Sequence, residues 1–556
     1  MNKKPGIGWY WFLVLSILVL SIFLRFYKLG TVPHGMTWDE AAIGYNGFAI
    51  FNTRRDEWLQ RLPVSFQSFG DYKAPLAIYL NGIFTYLFGL NLFAVRLPFA
   101  IFSIIGIFGM ILLVEEVFKD NRYSRFYALF AGLLMSTSPW HLHYSRAGFE
   151  SGMALTFLIW GLLFLIKLSK NNFKNIWQSL VVVLSFVAAI YTYHSSKVMV
   201  PLLLISFFVL FFKSIVKNFK SLIFPGVIFV GLLFPFIKDS LFGEGLTRAG
   251  VTIFSSDITT LEKFVYILKS YGAHLSANFL IFGETTTLRH GSGFLGVLSI
   301  TTFILAIFGL ISFLVKSSSS LVKNAASFAI KATTKKSLNK DKYVFLGLII
   351  IGLLPAAISL EVPHSNRSIL ALPGFILMAI YGADWLIEKI RVSKANKEIL
   401  GSHGEKNIIL KSLIGSFILA HIFLTIVFLN HYFTVFAKES ADSFQDGYLE
   451  AFEIAQKYEK GLDGFPEVDK ILFTSDYGQP YIYALFVRKT NPIWYRGGSL
   501  IKYEFTDKID EGDLQRNNTL IVASATDELP IEKIKQIIFG SDGKVRFQIF
   551  LTESKQ

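Results

Sequence analysis

The stretch TWDEAAIGYN (37–46) sets two adjacent carboxylates, Asp39 and Glu40, beside a tryptophan and a tyrosine shortly after a long apolar run. Acidic groups that close to a bilayer are costly unless they are solvated, paired or used. Six further clusters carry charge or imidazole. They are GDYKAPL (70–76) with Tyr72 and Lys73, FAVRLP (93–98) with Arg96, and WHLHYSRAGFES (140–151) with His143, Arg146 and Glu150. YTYHSSK (191–197) adds His194, TLRHGSG (287–293) adds Arg289 and His290, and LEVPHSNRS (360–368) adds His364 and Arg367. A lone His or Arg at the end of a membrane span is ordinarily an interfacial residue. Seven such clusters, each at a span end on one face, describe the rim of one cavity. Arg and Lys at headgroup level suit an anionic lipid headgroup, and Arg can hold phosphate oxygens with two parallel N–H groups. A carboxylate among them suits a general base that takes a proton from an attacking hydroxyl or amine. Displacement of a lipid phosphate from a sugar needs both parts. The leaving phosphate is a stable anion, so one base and a cationic clamp suffice for inversion.

The elements that must position these groups are membrane spans. The chain has 556 residues, 53% hydrophobic and only 17% charged, well below the quarter expected of a soluble protein. No cysteine is present, which excludes disulfides and thiolate–metal sites. The net charge of +14 does not indicate a nucleic-acid partner, because the Lys and Arg sit in short loops between apolar runs. Lys3 and Lys4 precede a first run with no small-residue cleavage site after it, so an uncleaved span is expected. Ten more runs follow near 98–118, 126–142, 150–166, 176–193, 198–212, 221–237, 294–315, 343–360, 368–387 and 412–431. The apolar segment 75–95 is ambiguous. If it does not cross, the loops 119–125, 167–174, 213–220, 316–342 and 389–411 all lie inside and hold 22 Lys and Arg. If it crosses, that bias inverts. The positive-inside rule therefore predicts eleven spans, a cytoplasmic N-terminus in the plasma membrane, and large outer loops at 28–97 and 238–293. Arg25 and Lys28 fall on the wrong side and are expected to snorkel.

Residues 1–431 are then an all-α polytopic membrane domain, and 432–556 a small extracytoplasmic α/β domain. In the latter KILFTSDY, NTLIVASA and KVRFQIFL predict strands, while 478–488 and 530–538 predict helices.

The order of these motifs resembles the GT-C glycosyltransferases, in particular the protein O-mannosyltransferase (glycosyltransferase family 39) and lipid A aminoarabinose transferase group. DYKAPLAIYL resembles the family's Lys-Pro or His-Pro-Pro motif, NLFAVRLPFA its Arg-x-x-Pro-type element, and TLRHGSG and EVPHSNRSILALP its late-loop motifs. The likeness spans roughly residues 8 to 390. It implies that Asp39 is the catalytic carboxylate with Glu40 its partner. Lys73, Arg96, Arg289, His290, His364 and Arg367 would surround the donor phosphate, and Glu150 would stand where the family has an Asp. Tyr72, His143, Arg146 and His194 are further candidates for the substrate site. The implied partners are a polyprenyl-phosphate-sugar donor, a protein or envelope glycan/lipid acceptor, and membrane lipids. His143, Glu150, His290 and His364 can ligate a divalent cation, but no spacing among them matches a closed site, and no cofactor is expected.

Three structural roles compete with these assignments. Asp39 could be the N-cap of a helix starting near Glu40. Arg146 could pair with Glu150 four residues on, and Arg367 could pair with Glu361. Two other activities share the need for buried charge. An O-antigen ligase or polymerase would concentrate Arg and His in one large loop. A lipid-linked sugar flippase or transporter would show paired repeats and broken helices, and no such repeat is evident here.

Overall fold

The computed structural model describes residues 7–243, 250–283, 285, 287–326, 338–395 and 403–553. The chain opens with α1 (Ile7–Phe26), α2 (Trp38–Thr53), a hairpin of β1 (Phe66–Ser68) and β2 (Asp71–Lys73), then α3 (Pro75–Phe88) and α4 (Leu92–Val117). Next come α5 (Ser124–Ser136), α6 (Pro139–Arg146), α7 (Glu150–Lys170), α8 (Ile176–Thr192), α9 (His194–Lys217) and α10 (Lys220–Phe242). The bundle continues with α11 (Thr260–His274), α12 (Ala277–Leu280), α13 (Ile300–Ala326), α14 (Leu338–Ala357), α15 (Ser365–Ser368), α16 (Leu372–Ala395) and α17 (His403–Glu439).

Among the described residues, seven helical segments are long and apolar enough to cross a membrane by length and composition, each overlapping one of the expected runs. The runs near 176–193, 294–315 and 343–360 lie in shorter apolar stretches. The run 126–142 is not one helix. It breaks at Ser138, whose hydroxyl caps α6, and Pro139 opens that helix at a position where no N–H is needed. Segment 75–95 forms the 14-residue α3, about 21 Å long and short of a ~30 Å hydrocarbon core. Gly89, at φ 78°, ends it, and Asn91 caps α4. Where helices pack most closely, small residues allow it: a Cβ on Gly382 would collide with the carbonyl of Leu305, and one on Gly309 with that of Met378. That is the α13–α16 contact.

Helix α17 runs past the expected boundary at 431/432 to Glu439. Beyond it lie α18 (Tyr448–Lys460), β3 (Lys470–Thr474), α19 (Pro480–Arg488), α20 (Pro492–Arg496), β4 (Tyr503–Thr506), β5 (Thr519–Ser524), β6 (Gln536–Phe539) and β7 (Val545–Leu551). The sheet order is β4-β3-β5-β7-β6, with β3 parallel to β4 and β5, and β7 antiparallel to β5 and β6. The three expected strands and the helix at 478–488 are present. The helix expected at 530–538 is instead a short 3-10 turn, Ile531–Lys533, followed by β6. Its apolar residues pair with β7, so tertiary pairing outweighs local preference.

The small domain shares its core with the membrane domain. Met36, Ala41, Ala42, Tyr45 and Ala49 of the α2 region pack with Tyr448, Phe452, Tyr483 and Phe486. Tyr45 donates to the carbonyl of Thr490 (2.8 Å) and Tyr483 to that of Met36 (2.6 Å).

Candidate active site

Helix α2 begins at Trp38, ahead of Asp39, so the aspartate is inside the helix and cannot be its cap. Thr37 is the N-cap: its hydroxyl accepts from the Glu40 N–H (3.2 Å), and Glu40 Oε2 accepts from the Thr37 N–H (3.0 Å). This is a reciprocal capping box, and T-x-x-E in the sequence is its signature. Asp39 is therefore released from capping and sits in the first turn, with its side chain 35% exposed.

The two adjacent carboxylates have different surroundings. Glu40 is 1% exposed and accepts from Arg96 Nε (2.7 Å), Arg96 Nη2 (3.2 Å) and the Gly148 N–H (3.0 Å) besides Thr37. Asp39 instead pairs with Lys73, itself 5% exposed. The β1–β2 hairpin delivers that lysine. Phe69 and Gly70 both take positive φ in its two-residue turn, which sets Lys73 opposite Phe66 in the ladder.

Arg96 does not stand ready for a phosphate. It is fully buried, and besides Glu40 it donates to the carbonyls of Leu29 (3.3 Å), Pro33 (2.8 Å) and Gly35 (2.8 Å). Arg146 does not reach for substrate or for Glu150 either. Its guanidinium donates to the carbonyls of Leu24, Arg25, Tyr27, Lys28 and Val32 at 2.7–3.2 Å. Buried carbonyls at a helix end must find donors, and a guanidinium fork supplies several at once. The two arginines thus bracket the linker between α1 and α2 and fix where Asp39 stands. Arg25 does not snorkel; it is buried, donating to the carbonyl of Ser136 (2.7 Å) beside His141 Nδ1 (2.9 Å). Lys28 is exposed, as expected.

The later loops close over this turn. Arg289 lies with its guanidinium 4.4 Å from the ring centroid of Trp38, the residue before Asp39, and donates through Nε to the carbonyl of Ser443 (3.0 Å). His143, buried in α6, donates through Nε2 to the carbonyl of Arg289 (2.8 Å), supporting that loop from beneath rather than facing a ligand. His290 and His364 have ring centroids 4.7 Å apart. Burial pushes His290 down to about 3, with Asp39 opposing that shift electrostatically, so its imidazole is neutral. Arg367 donates to Ser359 Oγ rather than to Glu361. Glu150 starts α7 and His194 starts α9, both half-buried, and Tyr72 lies in β2 with its N–H on the Asp71 carboxylate (2.7 Å). Sequence reasoning assigned no site role to Thr37, Trp38 or Ser443, of which Thr37 and Trp38 stand in the TWDEAAIGYN cluster and Ser443 in none.

The sequence profile of the family described as dolichyl-phosphate-mannose-protein mannosyltransferase matches residues 72–237. ArnT from Cupriavidus metallidurans in the apo state has a similar fold, with 12% identity, a TM-score of 0.52 and coverage of 99% of this chain and 98% of that one. The same protein bound to undecaprenyl phosphate gives 13% identity, a TM-score of 0.51 and 98% coverage of both chains. The oligosaccharyltransferase of Archaeoglobus fulgidus, tethered with an acceptor peptide containing the NVT sequon, gives 14% identity and a TM-score of 0.48 over 87% of this chain. This chain spans 63% of that protein's length. No curated protein sequence matches. The profile match over residues 72–237 and the fold shared over almost the whole chain bear out the resemblance to GT-C glycosyltransferases carried by the motifs.

Proposed function

We propose that the protein transfers a sugar from a polyprenyl-phosphate-linked donor to a protein or envelope glycan/lipid acceptor, with inversion, using Asp39 as general base. The observation that carries this reading is the contrast within one dipeptide: Glu40 is consumed by five hydrogen bonds from Thr37, Arg96 and Gly148, while Asp39 remains partly exposed beside Lys73. The undecaprenyl phosphate bound by the similarly folded ArnT supports the donor class.

In this reading the acceptor's hydroxyl or amine attacks the anomeric carbon and Asp39 takes the acceptor's proton. The bond from that carbon to the phosphate oxygen breaks, and its electron pair stays on the polyprenyl phosphate. The Lys73 ammonium has three N–H donors, so one can hold Asp39 while another meets a phosphate oxygen. Arg289, stacked on Trp38, supplies the second cation, and His364, which precedes α15, and Arg367 within α15 lie behind His290. Arg96 acts at one remove, by fixing the turn that presents Asp39. The site end of the bundle and the small domain, from about residue 440, face outside, and the Lys-rich loops face the cytoplasm. The domains divide near that residue.

The direct test is the protein in liposomes holding a radiolabelled polyprenyl-phosphate sugar and an acceptor extract. Release of polyprenyl phosphate matched by label on protein or glycan is expected. Movement of intact donor across the bilayer without cleavage would establish a flippase instead.

A further inference from the structure

We propose that the groove between α8, α9 and α10 binds one anionic phospholipid, with an acyl chain in the groove and the phosphate on Lys174, Lys217 and Lys220. The groove encloses about 420 Å³ at the membrane face opposite the reaction site. Helix α7 begins beside the Asp39 turn, where the Gly148 N–H meets Glu40, and its 21 residues run about 30 Å to Lys170. Leu168 near that far end, and Phe173 just past it, line the groove. A polyprenyl phosphate seated beside Asp39 would hold its headgroup at the other face, so the two lipids are distinct.

The helices leave this gap by the way they pack. Helix α10 lies on α8, and α9 lies on α14 and α8, so the consecutive helices α9 and α10 do not pack closely on each other. Helix α9 is interrupted at Phe211 (φ -115°, ψ 18°), and Pro225 in α10 has no N–H to continue the ladder. Val182, Phe186, Leu204, Phe208, Leu222 and Phe229 form the walls. The polar side chain among the lining residues, Ser179, donates to the carbonyl of Asn175 and is satisfied. A Cβ on Gly226 would meet no atom within 4 Å, although this glycine lines the groove. Such a space suits a hydrocarbon chain.

The rim supplies the charge that the walls lack. Lys174 follows Phe173, and Lys217 and Lys220 flank the short connection from α9 to α10. The two loops are tied together: Ser221 donates to the carbonyl of Phe173, and Ser214 to Asn172 Oδ1 (3.1 Å). No acidic residue occurs in the sequence between Glu150 and Asp239. Glu116 reaches this end from α4 but pairs with Lys170 (3.2 Å), and among the described residues no carboxylate pairs with Lys174, Lys217 or Lys220. Trp177, 75% exposed at the start of α8, marks the headgroup level. Basic groups between spans at this depth favour anionic headgroups. A second apolar groove, about 460 Å³ among α5, α13, α16 and α17, differs at its rim. Asp384 and Glu388 adjoin its lining residues Ala383 and Ile387, and Glu388 pairs with Lys316 (3.2 Å). It serves as the internal control.

The site stands independently of the reaction assigned above, and its test needs no turnover. The full chain is reconstituted in phosphatidylcholine vesicles with a trace of phosphatidylglycerol carrying a diazirine at the end of one acyl chain. After irradiation, adducts are mapped by peptide mass spectrometry. Adducts on 204–208 and 222–229 are expected at least fivefold more often than with phosphatidylcholine bearing the same chain, whereas the second groove should label equally with both. Lys174→Gln/Lys217→Gln/Lys220→Gln should erase the preference. Gly226→Phe, which leaves every lysine in place, should abolish the adducts with both probes. Equal labelling of 204–208 and 222–229 by the two probes would reduce the lysines to topology signals and overturn the site, as would adducts unchanged in Gly226→Phe.

Discussion

Asp39 and Glu40 are chemically alike and adjacent, and what separates them is who reaches them. Glu40 receives a capping N–H, a guanidinium fork and the Gly148 amide, while Asp39 receives Lys73 and stays partly exposed. The Glu40–Arg96 pair is dry at both ends, 1% and 0% exposed. Removing one partner of such a pair leaves an uncompensated buried charge and costs about 3–5 kcal/mol. Arg96→Ala should therefore lower the melting temperature sharply, and Arg96→Ala/Glu40→Gln should recover part of it. A folded single variant that has lost only donor affinity would return Arg96 to the phosphate. The dipeptide was visible in the sequence as an acidic pair next to a span. Its division of labour was not, because Arg96 and Gly148 reach Glu40 from 56 and 108 residues away.

At the scale of elements, the site depends on how α2 is seated between its neighbours. Gly47 and Gly82 let α2 and α3 touch: a Cβ on Gly47 would fall 2.7 Å from the Gly82 nitrogen and 2.8 Å from the Ile78 carbonyl oxygen. Neither backbone atom can move aside alone. Helix α2 carries Asp39 and α3 follows Lys73 directly, so prying these helices apart should pull the ion pair open. Gly47→Val should cut transfer at least tenfold while the protein still inserts and the small domain stays folded by limited proteolysis. Normal activity in that variant would mean that the pair does not depend on this contact. Hydropathy made the long spans legible, but apolar length left 75–95 ambiguous, and only the charge bias of the later loops argued against its crossing. The break at Ser138–Pro139 was written in a capping residue followed by proline, but it lay inside an apolar run and was masked by it. The segment 530–538 misled for the opposite reason. Its helical look was local, and β7 recruits Gln536–Phe539 into the sheet.

The whole molecule is held together where the small domain meets α2. Arg496 donates to the carbonyl of Glu57 (3.1 Å) and lies 4.0 Å from the ring centroid of Trp58, and Phe69 packs against Tyr481. Glu57 itself is fully buried, with Asn46 Nδ2 at 3.1 Å, and burial raises its carboxyl to about 7. A carboxyl whose value is raised on folding holds more protons folded than unfolded between about pH 4.5 and 7, so its contribution to stability falls as pH rises through that window. Glu57→Gln, which removes the ionisation, should be more stable than the parent at pH 8 by on the order of 2–3 kcal/mol and similar to it near pH 4.5. Equal melting temperatures at both pH values would mean that Glu57 is charged and compensated in the folded state. Composition and charge placement made the membrane class legible, and the motif order pointed to the superfamily. The shared core was not legible, because Tyr45 meets Thr490 across 445 residues and Thr490 lies in no motif. The central claim is that Asp39 removes the acceptor's proton, and Asp39→Asn tests it most directly. Thr37 is the cap, so asparagine at 39 leaves the start of α2 intact. With purified protein in liposomes and a polyprenyl-phosphate sugar, transfer should fall about 10²–10⁴-fold while donor binding and melting temperature stay near those of the parent. Near-normal transfer by Asp39→Asn would contradict the assignment.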